Sequence, residues 1–391
     1  MTAELAALTA TDQRALLEMV DDFARRTVAP LVRDYDAAEQ LPPGLLAQMA
    51  ELGLFGGIVP VELGGAGLDY LTFSRVIERI SRVDHCLGVL MSMPSALVGG
   101  AVLAYGTPEQ KERWLRPLAE GKIFGGAGVT EPRSGSDVAG TETRYRREGD
   151  GFVLHGAKSW ITNLDLASFF VTFATRDKSL GRNGLTAFLV PAETPGVGRH
   201  PFKNKLGFRP LCSGELVLDE VRLGPEALLG EEGQGFAVAM HAVERGRLAV
   251  ASRAVGLAQA CLDASVRYAR DRIVFGQPIS DFQMVQKKIS DMAVEVQAAR
   301  LLTEDSARAL QTGARARVQT SMAKMYASDV AHRAATDAVQ IHGANGVSDE
   351  FPVGRWYRDA KVFQIVEGAN DIHRVVIARE LMRGVELGAD S

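Results

Sequence analysis

The chain has 391 residues, 46% of them hydrophobic and 24% charged, and 44 Lys+Arg against 48 Asp+Glu give a formal net charge of −4. Such a composition excludes bulk disorder, leaves room for roughly two to three domains or one multi-lobed subunit, and provides no basic stripe for a nucleic-acid partner. Cys86, Cys212 and Cys261 lie far apart with no CxxC spacing, which argues against a disulfide scaffold or a zinc site and fits a reducing cytoplasm. The N-terminal stretch is acidic early and does not read as a signal peptide. No apolar run approaches the ~20 residues of a membrane span, so a soluble cytoplasmic protein is expected.

In chain order, residues 1–121 read as a helical domain. Thr11 and Asp12 are placed to cap a helix whose Leu16, Val20 and Phe23 recur at helical spacing. Thr107-Pro108-Glu109 carries an N-cap residue, a first-turn proline and an acid in the order a helix start requires.

Residues 122–231 change texture. The alternating Thr141–Arg147, the turn Gly149-Asp150-Gly151 and the apolar run from Phe152 form a hairpin signal. Further β-rich runs at Phe169–Ala174, Leu185–Val190 and Glu215–Val221 follow closely, without helices between them. That spacing predicts an antiparallel barrel or sandwich rather than a Rossmann sheet. Residues 232–391 are rich in helix formers, interrupted only by Pro278 and Pro352. The fold class is thus α+β and multi-domain: helical, then β, then helical. The Ala/Arg-rich piece Ala307–Val318 reads as a solvated helix face, because Glu304 and Asp305 dilute its charge.

Several segments carry residues suited to chemistry. Gly125–Asp137 contains Gly126-Ala-Gly128, but no third glycine and no strand–helix unit complete a dinucleotide fingerprint. It reads either as a Gly/Ser turn opening the β domain or as an anion cradle. In the second case the Ser134-Gly135-Ser136 amides face a pyrophosphate, with Val129 and Thr130 at the edge of a flat ring. Trp160-Ile161-Thr162 ends a strand, as core or as cover for one face of such a ring. Arg272–Gly276 with Phe282-Gln283, and Gln340–Gly346, break long helical stretches. Taken alone, Arg272 reads as a helix-dipole partner and His342 as a structural histidine. Glu367 stands among apolar neighbours and before Gly368, where desolvation raises a carboxyl pKa toward that of a general base. No metal-ligand cluster and no Ser–His–Asp arrangement stands out.

Together and in this order, these segments resemble the acyl-CoA dehydrogenase family almost from end to end. Val129-Thr-Glu-Pro-Arg-Ser-Gly-Ser-Asp137 looks like the family's first signature, and Gln283, Gln340–Gly346 and Glu367-Gly368 fit its C-terminal half. The resemblance implies a helical N-terminal domain, a central β domain and a C-terminal four-helix bundle, with FAD bound between the subunits of a homotetramer. It implies that Val129, Thr130, Gly135 and Ser136 contact the flavin and its pyrophosphate, with Ser136 also near substrate. Trp160 would cover the isoalloxazine, with Ile161 beside it and Thr162 hydrogen-bonding near N5. Arg272, Phe275, Gln283, Gln340 and Gly343 would hold the FAD of a neighbouring subunit, and Ala369 and Asp371 would lie by the cofactor. Glu244, Arg247 and Gly368 match substrate-site positions.

The implied reaction converts an acyl-CoA to its trans-2-enoyl-CoA in fatty acid metabolism, with electron-transfer flavoprotein as acceptor. Glu367 takes the α-proton while the β-hydrogen leaves as hydride to flavin N5. The thioester oxygen is held by the ribityl hydroxyl and the backbone N–H of Glu367, where negative charge develops. Some members place the base at a position that matches Gly246 here, and glycine cannot serve, which leaves Glu367. Val366 and Ala127 stand where relatives often carry bulkier residues, so the acyl group stays open. Two enzyme alternatives keep the flavin, one with a carrier-protein-tethered substrate and one an oxidase. The oxidase reading is disfavoured because acyl-CoA oxidases usually carry a further C-terminal domain. A flavin-free helical scaffold is the non-enzymatic alternative.

Overall fold

The computed structural model describes residues 9–313 and 315–384. The first helix, Ala10–Phe23, starts two residues earlier than expected. Thr9 is its N-cap and Asp12 stands at N3, each side chain accepting from the other's backbone N–H at 3.2 Å. An acid three residues after a threonine satisfies two orphan amides at once, so the cap falls on Thr9 and not on Thr11. The expected start at Thr107 holds: Thr107 and Gln110 form a capping box and Pro108 takes the first helical turn.

Eight strands form one central sheet. They are β1 (Phe124–Gly128), β2 (Arg144–Glu148), β3 (Gly151–Thr162) and β4 (Ala167–Thr175). β5 (Leu185–Pro191), β6 (Val197–Pro201), β7 (Ser213–Leu223) and β8 (Leu228–Leu229) complete it. The order is β6-β7-β3-β2-β4-β5-β8, with β1 beside β4. The hairpin is present, with Glu148 opposite Gly151 across the two-residue turn Gly149-Asp150.

The strand path ends at β6 and β8, so the described residues form no closed barrel. The pairing is mostly antiparallel, but β1 and β2 each run parallel to β4. Glycine explains the position of β1. A β-carbon at Gly126 would meet the Phe170 ring at 2.7 Å, so the Gly-Gly-Ala-Gly run lets aromatic side chains of β4 stand against it. The segment read as a Gly/Ser turn is therefore a strand over its glycines, and the turn begins after Gly128.

The C-terminal lobe is built on Gly235–Asp271, Gln283–Gln311 and Arg317–His342. Shorter helices Val353–Phe363 and Asn370–Met382 lie against the last of these. Ala249, Ala254 and Ala258 are buried on the first, and Ala323, Ala327 and Ala331 on the third. Small residues on both helices allow close approach. One apolar core joins N-terminal helices (Ile77, Ile80, Leu87) to these C-terminal ones, so the two helical lobes share an interior. Among the described residues no helix is long and apolar enough to cross a membrane, and the three cysteines are unpaired.

Candidate active site

Between the helices Val353–Phe363 and Asn370–Met382 the chain makes a short loop whose tip is Glu367-Gly368. Both residues have positive φ, 54° and 96°. Glycine adopts this conformation freely, but a glutamate held there stores on the order of 1 kcal/mol of strain that its surroundings must offset. They do so with a buried polar network. Asn370 N donates to Gln364 O at 3.0 Å, closing the loop. Lys324, fully buried on the Arg317–His342 helix, donates to Gly368 O at 2.7 Å and to Asn370 Oδ1 at 2.9 Å. Asp329 of the same helix accepts from both Gln364 Nε2 and Asn370 Nδ2 at 2.7 Å.

Glu367 is a half-buried residue whose carboxylate is turned away from solvent and makes no hydrogen bond or ion pair among the described residues. Burial raises its pKa above the ordinary glutamate value, against the opposing pull of Arg253, Arg247 and Lys324. Burial in turn pushes Lys324 down to about 7, with Glu367 partly holding its proton. Arg247 is buried, donates to Ser321 Oγ at 3.3 Å, and is also pushed down by burial. Glu244, one turn earlier, is raised by burial. A β-carbon built on Gly246 would lie 2.7 Å from Glu367 Oε2, so the carboxylate occupies space that any other residue there would fill. His373 is buried with neither ring nitrogen hydrogen-bonded, and burial pushes it to about 3, so it is neutral beside the loop. The backbone N–H of Glu367 has no acceptor among the described residues and is free to donate.

A second group forms at the end of β3. The pairing of β3 with β7 slips between Lys158 and Ile161, and the bulge puts Trp160 at φ 60° with its side chain 61% exposed. Its ring meets Phe202 at a steep angle, with centroids 4.9 Å apart. Ile161, by contrast, is buried in the sheet's core. Thr162 is half-buried opposite Ser213.

Ser159 N donates to Thr130 O at 2.8 Å, drawing the Val129–Asp137 segment to this strand. Glu131 anchors that segment. It is buried, and accepts from Lys158 Nζ at 2.7 Å and Thr143 N at 2.9 Å. Burial alone would raise Glu131, but Lys158 and the hydrogen bonds outweigh it and hold the group below its ordinary value. Burial pushes Lys158 down to about 8. Gly135 and Ser136 are exposed, and their amides donate to nothing among the described residues. A largely exposed indole and free amides, on segments drawn together by the Ser159–Thr130 bond, suit a planar ring carrying phosphates.

The remaining expected residues lie elsewhere on the chain. Arg272, Phe275 and Gln283 are exposed on and around a small hairpin, Phe275 to 93% at φ 54°. Gln340 and Gly343 are exposed at the end of the Arg317–His342 helix. No hydrogen bond, ion pair or ring contact joins these five to Trp160 or Glu367 among the described residues. Ala369 is half-buried on the Glu367 loop, and Asp371 is exposed, 3.6 Å from Arg374. His342 is structural, stacked on Tyr268 at 4.2 Å and bonded to Ala338 O.

Sequence reasoning missed Lys324 and Arg253. Each is a lone cation inside a run of small apolar residues, Ser321-Met-Ala-Lys324-Met-Tyr and Val250-Ala-Ser-Arg253-Ala-Val, and that was the available signal. It also missed the buried trio Asp84, His85 and Cys86, whose ligand atoms lie within 4.8 Å of one another. These donors are already engaged: Asp84 with Tyr35 and Cys86 N, His85 Nε2 with Asp359 at 2.9 Å.

Three family descriptions match the chain: acyl-CoA dehydrogenase N-terminal domain over residues 10–122, middle domain over 126–221 and C-terminal domain over 233–382. The mouse mitochondrial short-chain specific acyl-CoA dehydrogenase is 41% identical over 93% of this chain and 88% of its own. The butyryl-CoA dehydrogenase of Megasphaera elsdenii superposes with a TM-score of 0.93 at 36% identity, covering 96% of this chain and 99% of the other. A chain solved with the electron transferring flavoprotein of Acidaminococcus fermentans does so with a TM-score of 0.93 at 38% identity, covering 97% and 99%. The chain belongs to the acyl-CoA dehydrogenase family and is an oxidoreductase.

Proposed function

We propose that this member of the acyl-CoA dehydrogenase family removes an α-proton and a β-hydride from an acyl-CoA thioester, with Glu367 as the base. One observation carries the reading. A carboxylate with no hydrogen-bond or ion-pair partner among the described residues is held in a strained loop, with its pKa raised by burial and its oxygen seated over Gly246. A structural glutamate is paired; a base must keep its lone pairs free.

The residues fit FAD as cofactor. Trp160 would wall one face of the flavin, Val129, Thr130 and Thr162 would edge it, and the Gly135 and Ser136 amides would take the pyrophosphate. Bound there, FAD supplies the hydride acceptor. Arg272, Phe275, Gln283, Gln340 and Gly343, exposed on one chain, are assigned to the FAD of a neighbouring subunit in a homotetramer. The chain's own groups do the rest. Lys324 and Asp329 fix the loop, and the free Glu367 N–H donates to the thioester oxygen as the α-proton leaves. Arg247 and Glu244 line the acyl-CoA entrance. Residues 1–121, 122–231 and 232–391 then act as three lobes of one catalytic unit, and the relation to the Acidaminococcus structure supports electron transferring flavoprotein as acceptor.

The test is spectroscopic. The purified protein is expected to be yellow, and acyl-CoA to bleach it anaerobically. Glu367→Gln should bind FAD without bleaching. Retained bleaching would remove Glu367 from its role, and fast peroxide formation in air would point to an oxidase.

A further inference from the structure

We propose that Arg253 anchors a negatively charged group at the far end of the acyl chain, so that the preferred substrate is a short acyl thioester ending in a carboxylate. The proposal rests on the dehydrogenase reading above and names the substrate class of that same site.

Arg253 follows Gly246 by seven residues on the Gly235–Asp271 helix, two turns along the same face, about 10 Å by helical rise. Gly246 marks the level of the Glu367 carboxylate. We place the acyl chain of a thioester reacting at Glu367 inward along this face, where Arg253 stands next.

The residue is 5% exposed, yet it has no counterion among the described residues. Nε reaches only the Ala249 carbonyl of its own helix, at 3.3 Å. Nη1 is buried without any acceptor, and no carboxylate forms an ion pair with the group among the described residues. The charge it feels most is that of Glu367, which must stay free to accept a proton.

The fold makes room for this arginine. Its stem lies against Gly88, where a β-carbon would sit 3.0 Å from Cγ and 3.2 Å from Cδ. Its guanidinium lies 5.7 Å from the centre of the Phe363 ring. A buried guanidinium lacking a partner is costly unless a ligand supplies the missing anion, and a carboxylate matches its donor geometry. A purely apolar acyl tail would seal the charge in hydrocarbon and deepen that cost.

The holoenzyme is tested by anaerobic flavin bleaching with three CoA thioesters: butyryl-CoA and the mono-CoA thioesters of succinate and glutarate. A carboxylate-bearing thioester is expected to exceed butyryl-CoA in kcat/KM by about tenfold to a hundredfold, the range for a hydrogen bond to a charged group. Arg253→Met should abolish that preference, and Arg253→Lys should keep part of it. A wild-type enzyme that favours butyryl-CoA, or a preference that survives Arg253→Met, overturns the proposal. If Arg253→Met does not fold, the wild-type ranking decides. Bleaching by a longer, branched or aromatic acyl-CoA but by none of the three overturns the proposal and leaves the dehydrogenase reading standing, whereas bleaching by no acyl-CoA at all sinks that reading, so the two failures are distinct. An arginine that only tuned Glu367 would shift the pH profile alike for all three thioesters and leave their ranking unchanged, which also overturns the proposal.

Discussion

The Glu367 carboxylate faces Gly246: a β-carbon there would lie 2.7 Å from Oε2 and 3.0 Å from Oε1. The glycine and the glutamate meet across 121 residues of sequence, and any side chain at position 246 would have to displace the carboxylate.

Gly246→Ala should therefore displace the base. We expect kcat to fall by at least about tenfold while FAD is retained, because the added methyl contacts the carboxylate and not the flavin wall. Conversely, Gly246→Glu in a Glu367→Gly background places a carboxylate in the vacated space, and it should recover part of the lost bleaching. An Ala variant with wild-type kcat would show that the loop yields, contrary to its anchoring by Lys324 and Asp329.

The pH profile follows from burial. Glu367 must be deprotonated to act, and its pKa is raised above 4.5. The acid limb of kcat/KM should thus lie above the ordinary glutamate range, with activity rising as pH increases through it. Lys324→Met removes one of the three cations that pull this pKa down and the hydrogen bond to Gly368 O. We expect its acid limb to move to higher pH and its maximal rate to fall. A limb that stays in place would mean Lys324 does not act on Glu367.

Breaking the Glu131–Lys158 pair should loosen the segment that carries Gly135 and Ser136. Glu131→Gln or Lys158→Met leaves the other charge buried, which costs about 3–5 kcal/mol. The expected outcome is a lower Tm together with faster loss of FAD. Because Glu131 is held below its ordinary pKa, its share of stability is present above pH 4.5 and is lost as pH falls through the depressed folded value. The Tm gap between wild type and Glu131→Gln should narrow in that acid window.

Trp160 separates stability from binding. At φ 60° and largely exposed, it costs the apoprotein strain without burying much surface. Trp160→Gly should leave the Tm of the apoprotein equal or higher, since glycine adopts this φ freely. FAD affinity should fall by about tenfold or more, as stacking on an aromatic ring is worth roughly 1–3 kcal/mol. A drop in apoprotein Tm would instead make Trp160 a structural residue.

Much of this was legible in the residue order. The change from helical to β texture and back to helical showed in the sequence the order in which the fold runs, because periods of 3.6 and 2 are local properties of the chain. The Gly149-Asp150 turn and the Thr107 cap were likewise local, and both are present. Glu367, an acid before a glycine among apolar residues, was a weak signal alone and gained its reading as a base only from the resemblance of the ordered motifs.

What only the tertiary structure decided depends on pairs distant in sequence. The parallel placement of β1 on β4 requires Gly126 to meet Phe170, and no window of the sequence contains both. Ile161 and Trp160 are neighbours, yet the bulge against β7 buries one and exposes the other. Lys324 and Arg253 read as ordinary helix cations until folding removes the water around them. Burial is a property of the whole packed chain, so the charges that set the site's electrostatics emerge only when the Arg317–His342 and Gly235–Asp271 helices close on the Glu367 loop.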